Sequence, residues 1–148
     1  MENMVLLIED EEKTGAKLKE ALETQDINVE WAKDGKKSVD MMEKGKYDLI
    51  ILDLKLPELS GEEALREIRK IDPYVEVIVY TNYEDPPVMQ KLINIGIEGY
   101  IKKGPDADLW ETVEEVKRRL DPFSASERDE VLASVPEGMF SDEENESE

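Results

Sequence analysis

Short, continuously apolar runs alternate along the chain with longer segments in which apolar residues recur every three or four positions. Runs such as Met4–Ile8 and Leu49–Leu52 are typical of strands that are buried on both faces of a parallel sheet. Segments such as residues 62–71, with Leu65 and Ile68 on one side, have the spacing of amphipathic helices. The pattern therefore predicts a strand followed by a helix, repeated five times.

The predicted elements follow one another in a regular order. The strands are residues 4–8, 27–32, 48–52, 75–80 and 99–101, and the helices are residues 13–23, 36–43, 62–71, 85–95 and a last helix that ends at Leu120. Strands that alternate with helices in this way indicate a parallel sheet with helices on both faces. We therefore expect an α/β fold.

Local signals predict several helix ends. Ser60, with Glu63 three residues later, has the spacing of a capping box at the start of a helix. Pro73 stops the same helix, since the residue before a proline avoids the helical conformation. We expect Asp106 or Asp108 to cap the last helix.

Charge divides the chain into two predicted parts. Of the net charge of −19, residues 121–148 carry −9 and residues 1–120 carry −10. We expect residues 1–120 to form one folded domain and residues 121–148 to be an acidic extension. The extension has one short helical pattern at residues 130–135, and its acidic end, residues 141–148, has the composition of a disordered segment.

The composition excludes several kinds of chemistry. The chain has no cysteine and no histidine, which removes disulfides, thiolate nucleophiles and imidazole ligands. Its strong negative charge repels phosphate backbones, so we expect no direct nucleic-acid binding. No apolar run is long enough for a membrane span, and we expect a cytoplasmic protein without membrane insertion.

Polar side chains follow four of the predicted strands. Because the carboxyl ends of parallel strands meet at one edge of a sheet, we expect these side chains to share a shallow cleft. No glycine-rich nucleotide-binding motif accompanies them. The residues at the four strand ends are Glu9 and Asp10, Asp53, Thr81 and Asn82, and Lys102 and Lys103.

Three carboxylates in one cleft predict a bound cation, because like charges repel unless something neutralises them. Mg²⁺ prefers oxygen ligands and keeps several waters. We expect Asp10 and Asp53 to bind it directly and Glu9 to hold one of its waters. Asp53 would keep one side free to act as a nucleophile and form an aspartyl phosphate, stabilised by Mg²⁺ and a lysine.

Four motifs together resemble the receiver domain of two-component response regulators, of the chemotaxis-regulator type, over residues 4 to about 120. The key residues Asp10, Asp53, Thr81 and Lys103 follow one another at intervals of 43, 28 and 22 residues. Each motif is weak alone, and their order and spacing make the signal specific. The motifs read Val-Leu-Leu-Ile-Glu-Asp from Val5, Ile-Ile-Leu-Asp-Leu-Lys-Leu-Pro from Ile50, Val-Ile-Val-Tyr-Thr from Val77 and Gly-Tyr-Ile-Lys-Lys from Gly99.

The resemblance implies a flavodoxin-like (βα)5 fold, doubly wound, with a five-stranded parallel sheet in the order 2-1-3-4-5. It also implies that a sensor histidine kinase phosphorylates Asp53, and that the switch then signals to a downstream partner or output domain. Lys103 matches the family lysine, and the backbone carbonyl of Lys55 matches the third protein ligand of Mg²⁺. Thr81 and Tyr100 match the switch pair of the family.

The chain departs from the family pattern beside the expected acceptor. Asn82 stands where the family has a small residue, which predicts slower phosphoryl turnover than in an Asn82→Ala variant. Tyr83 and Lys55 stand where the family tunes the lifetime of the phosphoryl group. Gly104 separates the lysine from Pro105, whereas the family lysine is usually followed directly by proline, often through a cis bond.

Two other functions are also compatible with the sequence. A degenerate receiver would serve as a protein-binding module that does not depend on phosphorylation. A phosphohydrolase with an aspartyl nucleophile would need a second acid two residues after Asp53, where Lys55 stands. We expect no enzyme activity beyond phosphorylation and dephosphorylation of Asp53 itself.

Overall fold

The computed structural model describes residues 3–81, 85–103 and 109–120, in which five strands alternate with five helices. The strands are β1 (Met4–Ile8), β2 (Asn28–Ala32), β3 (Leu49–Leu52), β4 (Glu76–Thr81) and β5 (Gly99–Lys102). The helices are α1 (Glu12–Glu23), α2 (Gly35–Met41), α3 (Gly61–Ile71), α4 (Pro86–Ile95) and α5 (Leu109–Leu120). The predicted order of elements is confirmed, with bounds that differ by one or two residues.

The strands form one parallel sheet in the order β2-β1-β3-β4-β5, as expected. The last residue of β1, Ile8, lies beside Leu52 on one side and Ala32 on the other. At the far side of the sheet Thr81 lies beside Lys102. Because these strands end level with one another, the residues that follow them meet at one edge.

The strands at the centre of the sheet have no solvent-exposed face. Ile8 and Leu52, on one face, are 0% exposed and belong to a cluster that includes side chains of α3 and α4, and Leu7 and Ile51, on the other face, are 1% exposed. Full burial of such a side chain stabilises the fold by about 1.5–3 kcal/mol. The continuous apolar runs therefore make the rigid floor from which the polar strand ends project.

Helix α3 begins and ends as its sequence predicts. Ser60 Oγ accepts a hydrogen bond from the Glu63 amide at 3.2 Å, and Glu63 Oε1 accepts one from the Ser60 amide at 3.1 Å. The helix stops at Ile71, because Asp72 precedes a proline and has extended backbone. Helix α2 ends earlier than predicted, since the backbone of Met42 is extended and its side chain is buried in the core.

Contacts within the chain define two units, residues 1–114 and residues 115–148. The first contains the sheet. In the second, the described residues 115–120 are the last turns of α5, where Glu115 pairs with Arg118 and Arg119. The expected caps Asp106 and Asp108 lie outside the described residues, as does the whole predicted extension, residues 121–148. The boundary predicted at residue 120 stays a prediction.

Candidate metal and acceptor site at the carboxyl edge of the sheet

Backbone hydrogen bonds hold the acidic residues at the ends of the central strands. The Asp53 amide donates to the Ile8 carbonyl at 3.0 Å, and the Glu9 amide donates to the Ala32 carbonyl at 3.0 Å. Each residue thus extends the ladder of its strand by one bond before the chain turns away. The side chains of Glu9 and Asp53 therefore start from fixed backbone.

Glu9, Asp10 and Asp53 form an acidic cluster, and each offers a carboxylate oxygen within 4.8 Å of the others. Glu9 is 1% exposed and Asp53 is 5% exposed, whereas Asp10 is open to solvent. Two buried anions and one exposed anion at this distance repel one another. The donor set consists only of oxygens and has an open side, which fits a hard divalent cation such as Mg²⁺.

Lys103 supplies positive charge to the same cluster. Its Nζ lies 2.6 Å from Glu9 Oε1 and 3.2 Å from Asp53 Oδ2, and its side chain is only 12% exposed. Burial alone would lower the pKa of Lys103, but the hydrogen bond to Glu9 and the charge of Asp53 raise it above its ordinary value. Lys103 is therefore a permanent cation in contact with both buried carboxylates. Lys102 is exposed.

The charge of the acidic cluster is not balanced by Lys103 alone. The pKa of Glu9 is raised to about 7, mainly by burial and to a smaller extent by the charge of Asp53. The hydrogen bonds from Lys103 and from the Glu11 amide, which lies 3.0 Å from Glu9 Oε2, act in the opposite direction. Near neutral pH Glu9 is therefore only partly ionised, chiefly because its carboxyl group is buried.

The two residues of the expected switch pair lie on neighbouring strands. Thr81 ends β4 and is 0% exposed, and its carbonyl accepts a hydrogen bond from the Lys103 amide at 3.0 Å. Tyr100, on β5, is half-buried and packs against the core beside Val79. The structure thus places the Thr81 backbone next to the lysine. The roles of Thr81 and Tyr100 stay predictions.

The loop after β3 holds the remaining expected site residue. Lys55 is exposed, and its amide donates to Asp53 Oδ1 at 3.4 Å. Its expected role as a carbonyl ligand stays a prediction. Asn82 and Tyr83, expected to tune turnover, lie outside the described residues, as do Gly104 and Pro105.

Gly61 is a positioning residue that the sequence interpretation missed. Its amide donates to the Leu54 carbonyl at 3.0 Å, and a Cβ atom there would lie 2.6 Å from the Asp53 carbonyl oxygen. The start of α3 is thus pressed against the loop that carries Asp53, and only glycine fits. The signal was visible, since a glycine directly follows the helix cap Ser60.

A groove of about 590 Å³ opens beside the exposed acid of the cluster. Its walls combine apolar side chains with charged ones, and Asp10 is the acid of the cluster that lines it. Its lining residues are Asp10, Leu54, Lys55, Leu56, Pro57, Ser60, Glu62 and Val88.

Sequence comparison connects this geometry with known proteins. The family model described as the response regulator receiver domain matches residues 5–114. The uncharacterized transcriptional regulatory protein YkoG of Bacillus subtilis is 36% identical over 99 residues, which cover 67% of this chain and 43% of that protein. The chemotaxis protein CheY of Halobacterium salinarum is 32% identical over 103 residues, which cover 70% of this chain and 86% of that protein.

Comparison with solved structures finds the same fold in receiver domains. A CheY-like receiver domain protein from Methanospirillum hungatei superposes with a TM-score of 0.77 at 25% identity, covering 85% of this chain and 99% of that one. The chain spans less than half the length of the first curated relatives, namely 43%, 28% and 45%. In the part of the chain that the structure describes, every helix is too short or too polar to cross a membrane.

Proposed function

The chain belongs to the response regulator receiver domain family, and from that premise we propose that it is a signalling switch that accepts a phosphoryl group on Asp53. One observation carries the proposal. Asp53 is a buried carboxylate that lies within 4.8 Å of the two other acids and 3.2 Å from the ammonium group of Lys103. This arrangement combines a nucleophile, a cation site and a fixed positive charge.

The phosphoryl donor is a phosphohistidine of a sensor kinase, which this histidine-free chain cannot supply itself. A carboxylate oxygen of Asp53 attacks phosphorus, the O–P bond forms as the N–P bond breaks, and the imidazole leaves with a proton from solvent. Lys103 then pairs with the oxygens of the bound phosphoryl group. Its pKa is raised, so it stays charged throughout the transfer.

Mg²⁺ is the cation that the site would hold. Asp10 and Asp53 would bind it directly, Glu9 would hold one of its waters, and the Lys55 carbonyl would be the third protein ligand. When bound, it neutralises the cluster and the phosphoryl oxygens during transfer. The cluster of three carboxylates supports this assignment, because its oxygens lie within 4.8 Å of one another and Lys103 is the cation that contacts two of them.

The output of the switch is a change of shape near the far side of the sheet. We propose that the Thr81 hydroxyl moves toward the phosphoryl group and that Tyr100 turns inward, so that a small electrostatic change biases a two-state element. We propose that a downstream protein or an output domain binds the phosphorylated form, in the cytoplasm. Chemistry at Asp53 is limited to its own phosphorylation and dephosphorylation.

Intact mass measurement tests the proposal. The protein is incubated with Mg²⁺ and acetyl phosphate or phosphoramidate, beside the variants Asp53→Asn and Asp40→Asn. We expect the wild type and Asp40→Asn, which changes an exposed acid on α2, to gain one base-labile phosphoryl group. We expect Asp53→Asn to gain none.

Two outcomes contradict the proposal. Rapid release of phosphate from several donors without a phosphorylated protein would identify a hydrolase instead. No uptake under any condition would identify a binding module that works without phosphorylation.

A further inference from the structure

Trp31, near the end of β2, contacts the backbone of the acidic cluster. Its indole Nε1 donates a hydrogen bond to the Glu9 carbonyl at 2.8 Å. The next residue, Ala32, accepts from the Glu9 amide at 3.0 Å. Both backbone polar groups of Glu9 are therefore bound by consecutive residues of the neighbouring strand.

The indole ring is itself held in place from two sides. A Cβ atom at Gly15 of α1 would lie 2.1 Å from ring atom Cζ2, so the ring packs directly on the helix backbone. Lys33 Nζ lies 4.8 Å from the ring centroid, and it pairs with Glu12 at 2.9 Å. The direction of the indole N–H is thereby set by packing.

The exposed acid of the cluster depends on this backbone more than the buried ones do. The carboxylates of Glu9 and Asp53 contact Lys103. Among the described residues, the carboxylate of Asp10 has no hydrogen bond or ion pair. Its place in the cluster follows from the turn that it shares with Glu9, and that turn is held by Trp31.

We propose that Trp31 is a positioning residue for the metal site, holding the turn between β1 and α1 so that Glu9 and Asp10 face Asp53. The inference rests on the proposed function, because it assumes that the acidic cluster binds Mg²⁺. The indole N–H of Trp31 donates to the Glu9 carbonyl and not to a carboxylate, so we infer that Trp31 acts through the backbone. Loss of such a supporting contact typically weakens metal binding by roughly 10- to 100-fold.

Calorimetric titration with Mg²⁺ tests the role directly. Trp31→Phe keeps an apolar ring and removes the N–H donor, and Trp110→Phe makes the same change at an exposed position, 53% exposed. We expect the Kd for Mg²⁺ to rise about tenfold in Trp31→Phe and to stay unchanged in Trp110→Phe. Urea unfolding of each variant sets conditions in which all the protein is folded.

A second pair of variants separates positioning from general destabilisation. In the wild-type background, Gly15→Ala pushes the six-membered ring of Trp31 aside, and we expect Mg²⁺ binding to weaken. In the Trp31→Phe background the ring atoms nearest the new Cβ are missing, so the same change should leave the Kd almost unaltered. Equal losses in both backgrounds would overturn the role of Trp31.

Proton NMR gives a readout that does not depend on stability. We expect the indole N–H signal of Trp31 to shift during the Mg²⁺ titration with the calorimetric Kd, while that of Trp110 stays still. Mg²⁺ binding that is within twofold of wild type in Trp31→Phe overturns the positioning role alone. A wild-type protein that neither binds Mg²⁺ nor takes up a phosphoryl group overturns the proposed function as well.

Discussion

At the amino edge of the sheet Asp72 is 4% exposed, and at the carboxyl edge Glu9 is 1% exposed. Burial opposes the charge of both, yet the pKa of Asp72 is lowered and that of Glu9 is raised to about 7. The backbone amides of Gly45, Tyr74 and Val75 all donate to Asp72, at 3.0, 3.0 and 3.2 Å. Hydrogen bonds from fixed donors therefore outweigh the burial of Asp72.

The cations beside these two acids, Arg69 and Lys103, also differ in the partners that they contact. Arg69, near the end of α3, donates to the carbonyls of Gly96 and Val75 and pairs with Glu98 at 3.3 Å. Lys103 instead bridges two carboxylates that also face each other. At the amino edge Asp72 and Arg69 thus hold loops together through hydrogen bonds with backbone groups. At the carboxyl edge one lysine contacts two buried carboxylates, and the pKa of Glu9 remains raised.

The largest expected effect on stability comes from removing the Asp72 carboxylate at the amino edge. Asp72→Ala leaves three backbone amides without their acceptor, and we expect a loss of about 4 kcal/mol in the free energy of unfolding. Urea unfolding at pH 7 measures it, and Asp40→Ala, at an exposed helix position, should stay within about 0.5 kcal/mol of wild type. A loss below about 1 kcal/mol would show that Asp72 is dispensable.

The pH dependence of stability should separate the two edges. The folded pKa of Glu9, about 7, exceeds its ordinary value of 4.5. Between those values the folded protein binds more protons than the unfolded one, so stability falls as pH rises, by at most about 3 kcal/mol. Above pH 7 this group adds no further slope.

Asp72 should act in the opposite sense and in a different range. Its folded pKa lies below 3.8, so its contribution is present above that value and is lost as pH falls through the folded pKa.

Urea unfolding in the presence of a chelator, from pH 4.5 to 8, measures the Glu9 effect. Glu9→Gln should flatten the curve in that range, and an unchanged slope would contradict the origin assigned to it.

Gly61→Ala should disturb the acceptor while leaving the amino edge intact. The new Cβ meets the Asp53 carbonyl and the Leu54 backbone, and we expect a loss of about 2 kcal/mol of stability. Phosphorylation by acetyl phosphate should also slow, because Asp53 shifts. Ser60→Ala removes the adjacent helix cap at a cost of about 1 kcal/mol and should leave the phosphorylation rate unchanged. Equal rates in both variants would show that Gly61 matters for folding only.

The smallest expected effect is the stabilisation of the carboxyl edge by its cation. Mg²⁺ at ten times its Kd should stabilise the wild type by about 1.4 kcal/mol. Asp10→Asn should lose most of this gain, and Asp40→Asn should keep it. A gain of the same size in all three proteins would point to a nonspecific effect of the salt. Thermal unfolding with and without the cation measures the difference.

The order of elements and the sheet were predictable because they depend on local pattern. Continuous apolar runs such as Leu49–Leu52 are buried in a parallel sheet, and helical spacing supplies the connections between them. The position of Asp53 near Lys103 followed from the same logic, since strands of a parallel sheet end together. The capping box at Ser60 was equally local and was also confirmed.

The supporting contacts were not predictable in this way. Asp72 is the residue before Pro73, where the helix was expected to stop, and nothing in its neighbourhood along the chain points to the Gly45 amide 27 residues away. The contact of Trp31 with the Glu9 carbonyl spans 22 residues. Such contacts depend on how two elements pack against each other, and the spacing of apolar residues along the chain does not predict that packing.

The sequence by itself thus determined which chemical groups reach the carboxyl edge, because strand ends and their residues are set along the chain. The tertiary structure alone decided how those groups are paired and how strongly their charges are balanced. Lys103 lies closer to Glu9 than to Asp53, at 2.6 against 3.2 Å, and burial raises the pKa of Glu9 to about 7. The physical reason is that burial and charge balance are sums over residues distant in sequence, and they take their values only when the chain is packed.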